Sequence, residues 1–115
     1  MTECIFCKIV QGQIPCQKIY EDDELLAFHD IHPAAPVHFM IIPKKHVDSL
    51  SQCQAEDQAL LGKMLLQAPR LAQQTGLQQG FRTVINTGRG GGQEVFHLHV
   101  HILGGGVLPP LQTNK

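Results

Sequence analysis

The order of apolar runs along this chain predicts an α+β fold: an antiparallel sheet of about five strands, one long helix and a short N-terminal helix. Three observations carry that expectation. A single stretch of about twenty residues, Ala55 to Thr75, repeats its apolar positions at helical spacing. The remaining apolar runs are short and bounded by Gly, Pro or acidic residues, as strands are. The resulting order of short helix, hairpin, strand, long helix and hairpin segregates helices from strands, which favours antiparallel pairing over βαβ units.

Each element has its own signal. In "CIFCKIVQGQIP" the residues Ile5, Phe6, Ile9 and Val10 fall at near-helical spacing before Gly12 and Pro15, so a short helix should stop at the glycine. In "KIYEDDELLAFHD" two apolar-rich runs, Lys18 to Tyr20 and Leu25 to His29, flank Glu21-Asp22-Asp23-Glu24, the pattern of a hairpin with a polar turn. After the proline-punctuated "HPAAP", Val37 to Ile42 is apolar and ends at Pro43. A strand there puts His38, Met40 and Ile42 on one face. In the long helix Leu60, Leu61, Met64, Leu65, Ala68, Leu71 and Ala72 form a stripe suited to packing on a sheet, with Gly76 at a stop position. Pro69 lies inside it and removes a hydrogen bond to residue 65, so a kink or local distortion is expected. "FRTVINTG" and "HLHVHILGG" supply the last two strands, joined by "TGRGGGQEV".

Composition narrows the function. With 115 residues, 43% hydrophobic and 17% charged, the chain is expected to fold as one compact unit over residues 1–115 with a real core. A net charge of -1, with Lys44-Lys45 as the only basic doublet, is no footprint for nucleic acid, so small ligands are expected. "MTECIFCKIV" has no basic leader before a long apolar run, and no stretch approaches a membrane span. The expectation is a cytoplasmic protein without membrane contact. In that compartment Cys4, Cys7, Cys16 and Cys53 should be reduced thiols or metal ligands rather than disulfides.

The most informative segment is "FHLHVHILGG", where His97, His99 and His101 alternate with Leu98, Val100 and Ile102. On a strand the three imidazoles project to one face, roughly 6.6 Å apart in succession, and the apolar residues project into the core. Three readings compete: a polar strand face, a metal site, and catalysis with one imidazole as nucleophile or base. Spacing alone does not separate the last two. The preceding "GRGGGQ" lacks the Lys-Ser/Thr of a phosphate-binding loop and leads into a strand, so it fits no dinucleotide fingerprint. Its bland reading is a flexible turn. Glycines nevertheless let backbone N–H groups approach an anion, and this loop delivers the chain onto the histidine row, as phosphoryl or nucleotidyl transfer requires.

His97-Leu98-His99-Val100-His101-Ile102-Leu103 fits the pattern His-φ-His-φ-His-φ-φ, with φ apolar. With "IFCKIVQGQIP", "YEDDELLAFHDIHPAAPVHFMIIPKKH", "INTGRGGGQEVFHLHVHILGG" and Pro109-Pro110, the chain resembles the histidine triad (HIT) family over nearly its whole length. Within that family it resembles the Hint branch of purine nucleoside phosphoramidases. The resemblance implies a single HIT domain over residues 1–115. It also implies hydrolysis of purine nucleoside 5'-phosphoramidates, with no cofactor needed for the chemistry. His99 matches the nucleophile that forms a nucleotidyl-histidine, and a free imidazole of pKa about 6.5 is largely neutral and nucleophilic at pH 7. His101 and Asn86 match phosphate-contacting groups, and His38 matches a proton-managing histidine near the leaving group. Gln93, Glu94 and Val95 match the phosphate cradle, although Glu94 stands where this branch often has serine, a change expected to alter leaving-group protonation or amine preference.

Asp30 matches the carboxylate that accepts hydrogen bonds from the ribose diol. Phe6, Ile9, Ile14, Phe28, His29 and Ile31 match the sleeve around the base, AMP and GMP moieties both being admissible. Without the resemblance, Phe6, Ile9, Phe28 and Ile31 read as core and Asp30 as a turn residue. Cys4-x-x-Cys7 is half a zinc site by spacing. The resemblance supplies the rest, His46 and His97, as a structural Zn2+ set; a redox pair and two buried thiols are the other readings. Cys16 and Cys53 match nothing and read as structural. The resemblance also implies a homodimer through the long helices, with the C-terminal tail near the partner's site. A nucleotide-binding or interaction module with little turnover, and a dinucleoside polyphosphate hydrolase, are the alternatives. "HILGG" and the Pro-Pro tail favour the Hint branch over the latter.

Overall fold

A computed structural model describes residues 4–111. Its sheet has five strands: β1 (Lys18–Glu21), β2 (Leu25–His29), β3 (Val37–Pro43), β4 (Phe81–Val84) and β5 (Val100–Gly104), in the spatial order β1-β2-β3-β5-β4. Every neighbouring pair is antiparallel. With α1 (Ile5–Val10) and α2 (Gln58–Gln74) this is the α+β architecture anticipated from the sequence. No helix among the described residues is long and apolar enough to cross a membrane.

The two faces of the sheet have different fillings. Leu25, Ala27, Phe39, Ile41, Val100 and Ile102 point to α2, whose Met64, Ala68, Leu71 and Ala72 are buried against them. The alternate residues Leu26, Phe28, Met40 and Ile42 point the other way, onto Phe6 of α1. Alternation in β3 thus places His38 on the α1 face with Met40 and Ile42, and its register sets Met40 opposite His101. The larger core on the α2 face leaves the α1 face free to be shaped for a ligand.

The ends of α2 explain its stability. A 3-10 turn, Ala55–Asp57, leads into it, so the regular helix begins a turn later than the periodicity suggests. Gln54 and Asp57 form a capping box in which the Asp57 carboxylate accepts from the Gln54 N–H at 2.8 Å and from Lys45 Nζ at 2.7 Å. At the C-terminus Gly76 adopts φ 88°, Leu77 N–H donates to the Ala72 carbonyl at 2.8 Å and Gly76 N–H to Gln73 at 3.3 Å, a Schellman stop with Leu77 buried. The helix runs unbroken through Pro69. The hydrogen bond that Pro69 cannot donate is lost on the side of Leu65, which is 46% exposed and has solvent to replace it.

Two expectations change in the last hairpin. β4 ends at Val84 rather than Gly88, and the ladder of β5 starts only at Val100. Val84 pairs with His101, and the chain before Val100 turns away to bond Leu98 N–H to the Val47 carbonyl at 2.7 Å. Ile85 to Thr87 therefore have no partner strand. Of the three histidines only His101 lies in the ladder, yet the alternation persists: Leu98, Val100 and Ile102 are all buried on the α2 side.

Candidate active site

A cavity of about 500 Å³ lies on the α1 face. Its apolar wall is formed by Phe6 and Ile9 of α1, by Ile14, and by Phe28 of β2 with Ile31 just past the strand. His29, Asp30, His38, Asn86, Glu94, Val95, His99 and His101 line it too, with Phe6 packed directly against the His99 ring. Every nucleotide-site residue expected from the sequence lines this cavity except Gln93. Met40, Pro15, Cys16, His32, Ile5 and Gly92 line it as well. Met40 was within reach of the strand alternation that placed it with His38. Cys16, read as structural, belongs to the cavity wall, and no spacing signal marked it.

Hydrogen bonds to fixed partners set the protonation pattern of the histidines. His99 Nδ1 lies 2.7 Å from the His97 carbonyl, which can only accept, so Nδ1 carries the proton and Nε2 keeps its lone pair. The edge of Phe6 meets the His99 ring at a centroid distance of 5.2 Å and 82°, holding its plane. His38 Nδ1 accepts the Ala34 N–H at 3.0 Å, so the neutral ring presents Nε2–H, which donates to His101 Nδ1 at 2.9 Å. His101 is then left with its proton on Nε2. Burial, then the neighbouring His99 and His38, hold the His101 pKa down to about 4, and burial lowers His38 despite Asp30. Both rings are neutral at pH 7 in the free protein. Asp30 spends Oδ1 on the His32 N–H at 2.8 Å and keeps Oδ2 3.4 Å from His38 Nε2. It is thus both a turn residue and a cavity carboxylate.

The glycine loop works differently from its sequence reading. The N–H groups of Gly91, Gly92 and Gln93 are spent on carbonyls within the loop, around the 3-10 turn Arg89–Gly91. Gln93 is buried and its side chain braces the loop: Oε1 accepts from Gly88 N–H at 2.8 Å, and Nε2 donates to the Asp48 and Val95 carbonyls at 2.7 and 3.0 Å. The side chain expected in the phosphate cradle is a strut behind it, as suits a glutamine closing a run of residues without side chains. Among the described residues the N–H groups of Glu94 and Val95, two residues of the cavity wall, make no hydrogen bond and are free to donate.

Behind the triad, Cys4, Cys7, His46 and His97 bring four donor atoms within 4.8 Å of one another. His97 is fully buried and donates Nε2–H to the Pro43 carbonyl at 2.7 Å, leaving Nδ1 3.3 Å from Cys4 Sγ and 3.6 Å from Cys7 Sγ. His46 donates Nε2–H to Asp48 at 2.7 Å, leaving Nδ1 3.2 Å from Cys7 Sγ. Tetrahedral zinc with Zn–S about 2.3 Å and Zn–N about 2.1 Å separates sulfur from nitrogen by about 3.6 Å, so the donors present fit that ion. The carbonyl and carboxylate behind each imidazole fix the tautomer a metal ligand needs. The cluster Asp30, His38 and His101 fits a metal poorly, because the Ala34 N–H obliges His38 to present a proton rather than a lone pair.

Known proteins share this sequence and fold. The family model described as HIT domain matches residues 11–107. The chain is 59% identical over 104 residues to the protein HitA of Neisseria gonorrhoeae, covering 90% of this chain and 97% of that one. A HIT family hydrolase of Legionella pneumophila superimposes with a TM-score of 0.90 at 48% identity, covering 93% and 96% of the two chains. A histidine triad protein of Clostridium difficile does so with a TM-score of 0.92 at 45% identity, covering 97% and 98%. With the triad, the five-stranded sheet and these likenesses all in agreement, this chain belongs to the HIT family.

Proposed function

We propose that the protein hydrolyses purine nucleoside 5'-phosphoramidates to the nucleoside monophosphate and an amine, through a covalent nucleotidyl-histidine at His99. The observation that carries the reading is the tautomer of His99, locked by the His97 carbonyl so that Nε2 offers a lone pair inside the cavity. Phe6 and Phe28, packed edge to face at 5.6 Å, form one apolar wall against which a purine lies in this reading, with Ile9, Ile14 and Ile31 around it. In this reading Asp30 Oδ2 accepts from the ribose diol, and the amides of Glu94 and Val95, with Asn86, hold the phosphate; that all four residues line the cavity supports it.

Substrate phosphate brings negative charge beside the His38–His101 pair, opposing the burial that lowers its proton affinity, and the pair takes up a proton at His38 Nδ1, which gives up its bond to the Ala34 N–H. His99 Nε2 bonds to phosphorus, the P–N bond breaks, and the departing amine receives a proton from His101, replenished by His38 across their 2.9 Å bond. The pair, now neutral, accepts a proton from the water that attacks phosphorus, and the P–His99 bond breaks to release the nucleotide.

The proposal includes a zinc ion on Cys4, Cys7, His46 and His97, which when bound joins α1 to the triad segment without entering the chemistry. It also includes a homodimer, because Leu65 and Leu66 of α2 and Phe81 on the edge strand β4 are exposed apolar residues. The test of function is release of AMP from adenosine 5'-phosphoramidate by wild type and His99→Ala. Turnover lost in the variant supports the reading. Equal, slow release from both replaces it with a nucleotide-binding module.

A further inference from the structure

We propose that Glu94 selects the departing amine, and that the preferred substrates are phosphoramidates whose amine carries a second, cationic group, such as diamines or basic amino acids joined through one nitrogen. The inference rests on the phosphoramidase reading above. In that reading phosphorus sits at His99, and the departing amine shares the cavity that Glu94 lines. Glu94 is exposed and has no ion-pair or hydrogen-bond partner among the described residues. The lysines nearest in sequence to other acids are committed elsewhere: Lys44 to Glu21 at 2.7 Å, Lys45 to Asp57 at 2.7 Å and Lys63 to Glu24 at 2.8 Å.

Glu94 also belongs to a second wall. With Ile5 and Val95 it is shared between the cavity and an adjoining depression of about 380 Å³, which Asp48 and Phe96 also line. Ile5 and Val95 offer apolar surface to a methylene chain leaving the phosphate. Phe96 is 42% exposed and lines the depression, and an aromatic ring is a surface that attracts an ammonium ion. Asp48 gives one oxygen to His46 and has the other to spare. Cys4 and His46, two of the proposed zinc ligands, line the depression as well, so a cation reaching this surface meets the Glu94 and Asp48 carboxylates and an aromatic ring beside that cluster, and no lysine or arginine lines either cavity. Because Glu94 is exposed, its contact is screened, and a preference of about 1.5- to fivefold is the size such an ion pair supports.

The test compares kcat/KM for two adenosine 5'-phosphoramidates of matched chain length, one of pentylamine and one of 1,5-diaminopentane, in wild type, Glu94→Gln and Glu94→Lys. The ratio of the two substrates is read within each protein, so a general loss of activity cancels. The expected result is a preference for the diamine in wild type that shrinks with added salt, disappears in Glu94→Gln and reverses in Glu94→Lys. A wild-type ratio of one, or a preference unchanged in Glu94→Gln, overturns the assignment while His99-dependent turnover of the pentylamine substrate leaves the phosphoramidase reading standing. Absence of His99-dependent turnover of both substrates overturns both.

Discussion

Replacing Gln93 with Ala removes the strut of the glycine loop without touching the cavity. The side chain makes three hydrogen bonds, to the Gly88 N–H and to the Asp48 and Val95 carbonyls, from a buried position. At about 0.5–1.5 kcal/mol each, three such bonds amount to about 1.5–4.5 kcal/mol. The loop tip is exposed, so water satisfies part of what is lost, and about 2 kcal/mol is the appropriate figure. The loop presents the Glu94 and Val95 amides, so most of this loss should appear as local opening, with only part of it in global unfolding. A loss of about 2 kcal/mol in the ordered loop corresponds to roughly a 30-fold fall in kcat/KM. The assay pairs kcat/KM for adenosine 5'-phosphoramidate with urea unfolding of the same sample. Wild-type kcat/KM in Gln93→Ala would refute the bracing role. A fall in activity matched entirely by global destabilisation would refute its local character.

The coupling of phosphate binding to the histidine pair predicts a pH dependence. Binding raises the proton affinity of His38 and His101 above their depressed free-state values, His101 from about 4, so AMP binding should take up protons and strengthen as pH falls from neutrality. Titration calorimetry in buffers of different ionisation enthalpy measures that uptake, and proton release on binding would contradict it. The Cys4, Cys7, His46 and His97 donors predict about one zinc per chain in protein purified without chelator. At free zinc a hundredfold above the dissociation constant, linkage contributes about 2.7 kcal/mol, so chelation should lower Tm by about 10 °C. A metal-free protein whose Tm ignores chelators would remove zinc from the account. Phe6→Ala should cost about 3 kcal/mol of stability and weaken AMP binding, since Phe6 is buried against Phe28, His97 and His99. Unchanged AMP affinity in a folded Phe6→Ala protein would take the base out of the sleeve.

Much of the sheet was legible because its signals are local. Alternation in Val37 to Ile42 places His38 and Met40 on one face, and Gly76 after the helical stripe marks the stop that the Schellman bonds make real. What escaped depends on partners distant in sequence. The strand limits of the last hairpin are set by Val47, fifty-one residues before Leu98 by the numbering, which takes the Leu98 N–H and ends the ladder. Gln93 could be recognised as a brace only once Asp48 and Gly88 were seen beside it. The glycine run suggested free amides, yet a 3-10 turn uses them internally, and the unspent donors belong to the two residues that follow Gln93. The metal cluster was half legible: Cys4 and Cys7 share one helical turn, while His46 and His97 reach them only through the fold.

The central claim is that His99 carries the nucleotide during turnover. Its most direct test is rapid quenching of the reaction with adenosine 5'-phosphoramidate, followed by intact-protein mass spectrometry and peptide mapping. The account predicts a transient adduct with the mass of one AMP moiety, located on His99 and absent from His99→Ala. Turnover at full rate with no adduct, or an adduct on another residue, would contradict it.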